Sequence, residues 1–255
     1  MVTNEKAIIA LCGRVGKLLL ENGAETGRVE GTVEYIGRAA GLAVSCHATM
    51  TALFVDADFD TATHLVKVRT KDFDLRKVDA INTLSRRFVA GRIDWATLES
   101  GVADVERQRV DYTWPQKILG AGLVSVAPML LFQATWGDLA LAFWVGIAGY
   151  LAAQLTGRHT STPYIAVGVG GLTIGFLATT LALAGAGASA DNIVISALMP
   201  LVPGVAITNS LRELIAKHTI SGLVRAVDAV MVAGAIGAGV VVGNALAHGL
   251  LGGVL

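Results

Sequence analysis

Residues 193–225 read IVISALMPLVPGVAITNSLRELIAKHTISGLVR, an apolar segment that two prolines interrupt near its middle. Pro203 lacks a backbone N–H and Gly204 adds backbone freedom, so the pattern predicts a helix break between Pro200 and Gly204. Irregular backbone survives inside a bilayer only where it packs against protein or faces a watery cavity. The segment therefore predicts a broken membrane helix.

Three polar side chains follow this break. Asn209, Arg212 and Glu213 are spaced i, i+3 and i+4, which puts an amide, a cation and a carboxylate on one helical face. Broken helices with polar groups near the bilayer midplane are a recurring way to build transporter sites. The alternative is a proline-kinked packing helix whose polar end lies in interfacial water, and the spacing alone does not decide between the two.

Charged residues are distributed unevenly along the 255 residues. The mean hydropathy of +0.61 and a charged fraction of 16% are too apolar for an ordinary soluble domain. Residues 1–117 hold 16 of the 20 Lys and Arg and 16 of the 20 Asp and Glu. This shift predicts a cytoplasmic domain over residues 1–113 and a transmembrane domain over residues 114–255. Neither part carries net charge, which argues against nucleic-acid binding.

The transmembrane part contains five candidate spans, each near or above the roughly 20 residues that cross a bilayer. They cover about residues 117–135, 139–156, 162–185, 191–210 and 222–252. The Lys and Arg residues of this part all fall on one predicted side: Lys117, Arg158, Arg212, Lys217 and Arg225. The positive-inside rule then places the N-terminus in the cytoplasm and the C-terminus outside the cytoplasmic (inner) membrane.

The N-terminal domain shows helical and β-type patterns in turn. Helices are predicted over residues 7–20, 25–40, 75–89 and 97–110, and strands over residues 42–46, 51–55 and 64–70. The apolar run 7–20 contains Arg14 and Lys17 and lacks a small-residue cleavage site, which is typical of an amphipathic helix and not of a signal peptide. The predicted fold class is an α-helical integral membrane bundle with an N-terminal cytoplasmic α+β domain.

Two carboxylates and a cation surround a predicted helix end in this domain. Glu21, Asn22, Gly23 and Glu25 are followed by Arg28. They form either a ligand or docking site, or a helix C-cap followed by the first turn of the next helix. The residue types favour the cap, because Asn-Gly is a common helix stop and a carboxylate stabilises a helix N-terminus.

No metal motif is convincing in the same domain. Asp56, Asp58 and Asp60 superficially resemble a calcium loop, but Thr61 and Lys67 stand where that loop needs Gly and Glu. Four potential soft ligands also lie here: Cys12, Cys46, His47 and His64. Their spacing matches no zinc pattern, so we expect neither a metal nor a cofactor.

The predicted spans are rich in small residues and poor in polar ones. The G-x-x-x-G motifs at 171–175 and 239–243 let helices approach closely, which predicts a tight bundle or an oligomer. Polar residues inside the spans are Gln133, Gln154, Thr173, Asn209 and Asn244. Arg225 and Asp228 are spaced i, i+3 and can form either a structural ion pair or part of a gate.

Two motifs resemble the signatures of a known family. Residues 18–30, LLLENGAETGRVE, closely resemble the N-terminal signature of the threonine/serine exporter (ThrE) family, including its YjjP-type proteins. Residues 199–204, MPLVPG, are similar to the membrane signature of that family, which continues with Asn209, Arg212, Gly222 and Arg225. Glu213 stands where the family pattern has Asp, so the charge is kept with a longer reach. The resemblance covers essentially the whole chain.

The resemblance implies a secondary transporter that exports small polar metabolites across the cytoplasmic membrane. Threonine and serine are the substrates attached to the family, whereas the YjjP-type branch is associated with succinate, so an amino acid and a dicarboxylate both stay open. Longer family members join this half to a second membrane half. Besides membrane lipid, the implied partner is therefore a second copy of the chain or a YjjB-type second membrane subunit.

The expected mechanism is proton-coupled transport through a site in the broken segment. Pro200, Pro203 and Gly204 would expose backbone polar groups to the substrate. Asn209 would hydrogen-bond the substrate, Arg212, with Arg225 nearby, would meet its carboxylate, and Glu213 would carry a proton.

A competing interpretation is a membrane-anchored enzyme or ligand sensor. Residues 1–117 contain no G-x-S-x-G, H-E-x-x-H or P-loop motif, so we expect no enzyme. The sensor stays open, because the cluster from Glu21 to Arg28 would suit a ligand that regulates a partner.

Overall fold

The computed structural model describes residues 5–57, 63–69, 74–108, 112–131, 135–160, 162–187 and 189–251. Asp58, Asp60, Thr61 and Gln133 lie outside these residues. The chain forms two compact units. The N-terminal unit comprises Met1–Val110 and Ala206–Ala226, and the helical unit comprises Asp111–Val205 and Val227–Leu255. The N-terminal unit thus includes a segment that the sequence prediction had placed in the transmembrane domain.

The N-terminal unit combines helices with a small antiparallel sheet. Its elements are α1 (Glu5–Glu21), α2 (Thr26–Ala39), β1 (Val44–Ala48), β2 (Ala52–Ala57), β3 (His64–Lys67), α3 (Leu75–Val89) and α4 (Trp95–Arg107). The sheet order is β1-β2-β3, with Val44 opposite Ala57 and Ala52 opposite Lys67. Most of α9 (Gly204–Ile215) and the first residues of α10 (Thr219–Leu251) also belong to this unit.

One face of this sheet packs against helices. Along β1 and β2 the residues alternate between buried and less buried positions, as the period of two in a strand requires. Leu53 and Val55 of β2 and Val15 and Leu19 of α1 belong to one buried cluster. A Cβ atom added at Gly16 of α1 would meet the Leu53 side chain. The absent side chain at Gly16 therefore lets α1 lie directly on the sheet.

The helical unit contains the long apolar helices. Its elements are α5 (Trp114–Val126), a 3-10 helix (Ala127–Leu131), α6 (Trp136–Gly157), α7 (Pro163–Leu183), α8 (Ala190–Ala197) and α10 from Val227 onward. Met129, Val145, Ile174 and Ile193 form the centre of its core and come from four different elements.

Three helices among the described residues are long and apolar enough to cross a membrane: Trp136–Gly157, Pro163–Leu183 and Thr219–Leu250. The predicted count of five is not confirmed. The first predicted span is α5 followed by the 3-10 turn at Pro128, because proline lacks an N–H and crowds the preceding turn. The fourth, 191–210, is divided into α8, which ends at Ala197, and α9, which begins at Gly204. The predicted break is thus present.

The two G-x-x-x-G motifs, 171–175 in α7 and 239–243 in α10, pack backbone against backbone. A Cβ atom added at Gly171 would lie 2.5 Å from the carbonyl oxygen of Ile236. One added at Gly239 would collide with the carbonyl oxygen of Gly168. The predicted close approach of helices is confirmed, and it occurs between these two motifs.

Candidate functional site

Helix α1 ends at Glu21 in a Schellman motif. Gly23 has φ +92°, a left-handed conformation that glycine adopts without steric cost. Its N–H donates to Leu20 O at 3.2 Å, and the Ala24 N–H donates to Leu19 O at 3.0 Å. The Asn22 side chain donates to Leu18 O at 2.7 Å. The predicted C-cap is therefore present.

The short connector that follows presents its own backbone to other helices. Helix α2 begins at Thr26, and its N-cap residue Glu25 makes no side-chain capping bond. The carbonyl oxygen of Gly23 accepts a hydrogen bond from the Asn209 side chain of α9 at 3.0 Å. The N-terminal motif and the segment after the proline break, far apart in sequence, therefore meet within the N-terminal unit.

Glu213 and Arg225 form a buried ion pair at this connector. Arg225 Nη2 donates to Glu213 Oε1 at 3.2 Å, and Arg225 Nε donates to Glu213 Oε2 at 3.4 Å. Their side chains are only 1% and 3% exposed. Arg225 Nη2 also lies 3.4 Å from Ala24 O, to which it donates. The pairing is two-point, the geometry in which guanidinium and carboxylate groups bind each other most specifically.

Glu213 also caps helix α2 from a distance. The backbone N–H of Thr26, in the first turn of α2, donates to Glu213 Oε1 at 3.1 Å. A helix N-terminus has unpaired N–H groups and a partial positive charge, both of which a carboxylate satisfies. The hydroxyl of Thr26 is buried and has no hydrogen-bond partner among the described residues. The Thr26 hydroxyl, close to the ion pair, can therefore still form a hydrogen bond.

A second ion pair lies at the rim of the same cluster. Arg212 Nη1 donates to Glu25 Oε1 at 3.0 Å, and the Arg212 side chain is 62% exposed. The two pairs contain two cations and two carboxylates, so the cluster is electrically balanced. One pair is sealed from solvent and the other is accessible.

The remaining predicted site residues lie elsewhere. Pro200 and Pro203 belong to the turn between α8 and α9, and Gly204 is the first residue of α9. Arg28 is exposed on α2, whereas Glu21 is buried, with Lys17 Nζ at 4.0 Å. Arg225 and Asp228, whose spacing suggested a pair, each have a different partner. Arg225 binds Glu213, and Asp228 accepts a hydrogen bond from the hydroxyl of Tyr164 at 2.7 Å.

Comparison with known protein families shows to which family the chain belongs. Residues 10–247 match the sequence model of the ThrE family, described as "Putative threonine/serine exporter". This chain belongs to the ThrE family. No curated protein and no solved structure matches it. ThrE is a family of transporters and not of enzymes, and the three long apolar helices agree with a membrane location.

Some contacts of this ThrE protein were not foreseen from its sequence. Glu30 accepts a hydrogen bond from the Ala48 N–H at 2.8 Å and lies 3.3 Å from His47 Nδ1 and 4.0 Å from His218 Nδ1. No spacing in the sequence signals these contacts, because Glu30, His47 and His218 are not neighbours along one helix or strand. Across the described parts of the chain, no group of three or more His, Cys, Asp and Glu is arranged to hold a metal ion.

The two cysteines are buried and free. Burial raises the pKa of the Cys12 thiol to about 12. Burial, helped by the charges of Glu30 and Glu34, raises the pKa of the Cys46 thiol to about 12 as well. Both groups therefore remain protonated thiols at neutral pH, with little nucleophilic character.

Proposed function

We propose that this protein is a secondary transporter that exports threonine- and serine-type amino acids across the cytoplasmic membrane in exchange for protons. The observation that carries the proposal is the family match over residues 10–247, because it includes both the N-terminal motif and the segment after the proline break. In the proposed topology the N-terminus is cytoplasmic and the C-terminus is outside. The working assembly contains a second copy of the chain or a YjjB-type second membrane subunit.

The two ion pairs suit a zwitterionic substrate. An amino acid carries one carboxylate and one ammonium group, so it can exchange with an Arg–Glu pair without leaving either side chain unpaired. The accessible pair, Arg212 with Glu25, is the first point of contact, with Arg212 on the substrate carboxylate and Asn209 as a further hydrogen-bond donor. A dicarboxylate such as succinate would bring a second negative charge toward Glu25 and Glu213.

Glu213 is the proton carrier in this proposal. Its carboxylate faces Arg225 and the Thr26 N–H. When ionised and released from Arg225, it can accept the substrate ammonium group. When protonated, it no longer attracts that group and the substrate leaves. Alternating these two states exchanges one proton for one amino acid. The break between α8 and α9, at Pro200, Pro203 and Gly204, lets α9 shift between them.

Efflux from preloaded cells tests the proposal. Cells loaded in parallel with labelled threonine and labelled succinate carry this chain alone or together with a candidate second membrane subunit. We expect threonine efflux that stops when a protonophore collapses the proton gradient. Efflux of succinate without efflux of threonine would indicate that the protein exports dicarboxylates. No efflux of either compound, with all proteins detected in the membrane, would contradict a transport function and favour a sensor.

A matched pair of arginine variants tests the residue assignments in the same assay. We expect Arg212→Ala to raise the threonine KM by about 10- to 100-fold, as for the loss of a charge-assisted hydrogen bond. Arg38→Ala is the control, because Arg38 is also an exposed arginine of the N-terminal unit but lies at the other end of α2. Equal KM values for the two variants would remove Arg212 from the site.

A further inference from the structure

The helical unit contains a cavity of about 290 Å³ between α7, α8 and α10. Its volume lies at the lower end of the range for small-molecule sites, roughly 300–1,000 Å³, so it suits a ligand well below drug size. The apolar part of its wall includes Ala182, Leu183, Val194 and Val240. Gly175 also lines it, and a Cβ atom added at Gly175 would meet the backbone of Val240 in α10.

Four polar side chains also line the cavity: the buried Thr179 and the exposed Asp191, Asn244 and His248. The hydroxyl of Thr179 donates to Asn244 Oδ1 at 3.1 Å. This bond fixes the orientation of the Asn244 amide, so its Nδ2 group keeps two N–H donors for another partner. Asp191 lies in the first turn of α8 and supplies the carboxylate among the described residues that line the cavity. A carboxylate, an amide with two N–H donors and an imidazole therefore line one space.

Polar groups on apolar, membrane-length helices are costly and usually mark a substrate pathway. Thr179 lies in α7 and Asn244 in α10, which are two of the three described helices that are long and apolar enough to cross a membrane. Their mutual hydrogen bond satisfies only part of their capacity. A polar ligand in the cavity would satisfy the remainder.

We infer that this cavity is a binding site for a small zwitterionic amino acid. Asp191 receives the ammonium group, and Asn244 Nδ2 and His248 receive the carboxylate. Among the described residues that line the cavity there is no Lys or Arg, so a dicarboxylate would find a carboxylate and no permanent cation. The inference rests on the proposed function and deepens it, because it selects an amino acid over succinate and gives the helical unit its own substrate position.

Transport kinetics test this site in inverted membrane vesicles with labelled threonine and an imposed proton gradient. We expect Asp191→Asn and Asn244→Leu each to raise the KM by about 10- to 100-fold with a smaller change in the maximal rate. Asp191→Glu keeps the charge and should recover part of the loss. Val241→Leu is the control, since Val241 is exposed on α10 and does not line the cavity. Unchanged KM values in both variants, with active wild-type protein, would overturn the site.

Thiol labelling gives a second readout that does not require transport. Val194→Cys places a thiol in the cavity wall, and the native Cys12 and Cys46 give little background because burial raises the pKa of each to about 12. We expect threonine to slow labelling of Val194→Cys by N-ethylmaleimide at least several-fold, and succinate to have no effect. If threonine slowed labelling but the wild-type protein transported no threonine, the binding site would be supported and the proposed transport function would be contradicted. Absence of threonine protection, or equal protection by succinate, would overturn the site.

Discussion

The N-terminal unit and the helical unit hold their helices together by different means. In the N-terminal unit, α9 and the start of α10 are attached to the connector at residues 23–26 through buried charges and hydrogen bonds to the backbone. In the helical unit, α7 and α10 meet through glycines, with carbonyl oxygens where side chains would otherwise lie. The first contact depends on charge balance and the second on the absence of a methyl group. A substitution that breaks one should spare the other.

The largest expected effect is the loss of the buried ion pair. Arg225→Met leaves Glu213 buried and unpaired, which should cost about 3–5 kcal/mol of stability and lower the melting temperature of the purified full-length chain by roughly 5–15 °C. The double variant Glu213→Gln with Arg225→Met should recover most of this loss. It removes both charges and keeps an amide oxygen for the Thr26 N–H.

Thermal unfolding in detergent measures both variants. If Arg225→Met melted at the wild-type temperature, the buried pair would not be holding α9 and α10 to the connector. If the double variant were as unstable as the single one, the packing volume of Arg225 would matter more than the balance of charge.

A smaller effect is expected from one added methyl group at the glycine contact. Gly239→Ala places a Cβ atom against the backbone of Gly168 and Leu172, which cannot rotate away, and should cost roughly 1–3 kcal/mol. Gly237→Ala lies two residues earlier on the same helix with open space around the added atom. It should be neutral or stabilising by up to about 1 kcal/mol, because alanine is the better helix former.

The same melting assay compares these two variants. A similar loss in both would mean that helix α10 is sensitive to alanine for a reason other than contact with α7. If neither variant lost stability, α7 and α10 could move apart without an energetic cost. Close contact at glycine would then not be what holds the helical unit together.

The smallest effect is expected at the accessible ion pair. Arg212→Ala removes a pair in which the arginine is mostly exposed, and pairs of this kind contribute about 0–1 kcal/mol. The melting temperature should therefore stay close to that of the wild-type chain, even though transport is reduced. A loss as large as that of Arg225→Met would show that Arg212 is structural and would remove the proposed difference between the two pairs.

Local features of the fold could be predicted well from the sequence. The break between Pro200 and Gly204 and the cap at Asn22–Gly23 depend on the backbone chemistry of proline, glycine and asparagine, which acts over one or two turns. The three strands lie within a few residues of their predicted positions, because alternation of apolar residues marks a half-buried strand. The count of five spans that hydropathy predicted is not confirmed, since hydropathy does not register where a proline ends a helix.

The candidate site was only partly predictable. The i, i+3, i+4 spacing placed Asn209, Arg212 and Glu213 together on α9, but it could not name their partners. The i, i+3 spacing suggested that Arg225 pairs with Asp228 on the same helix, whereas Arg225 binds Glu213 from another helix. Spacing registers only neighbours along one helix, so a partner from a different helix has no periodic signal.

The sequence by itself determined the family, the partition of charge along the chain, the helix break and the glycine motifs. Each of these is a property of composition or of residues a few positions apart. Only the tertiary structure decided that the carbonyl oxygens of Gly23 and Ala24 accept hydrogen bonds from Asn209 and Arg225. The same holds for the cavity that Asp191 and Asn244 line together. Those contacts join residues far apart in the chain, and which of them form depends on how whole helices pack.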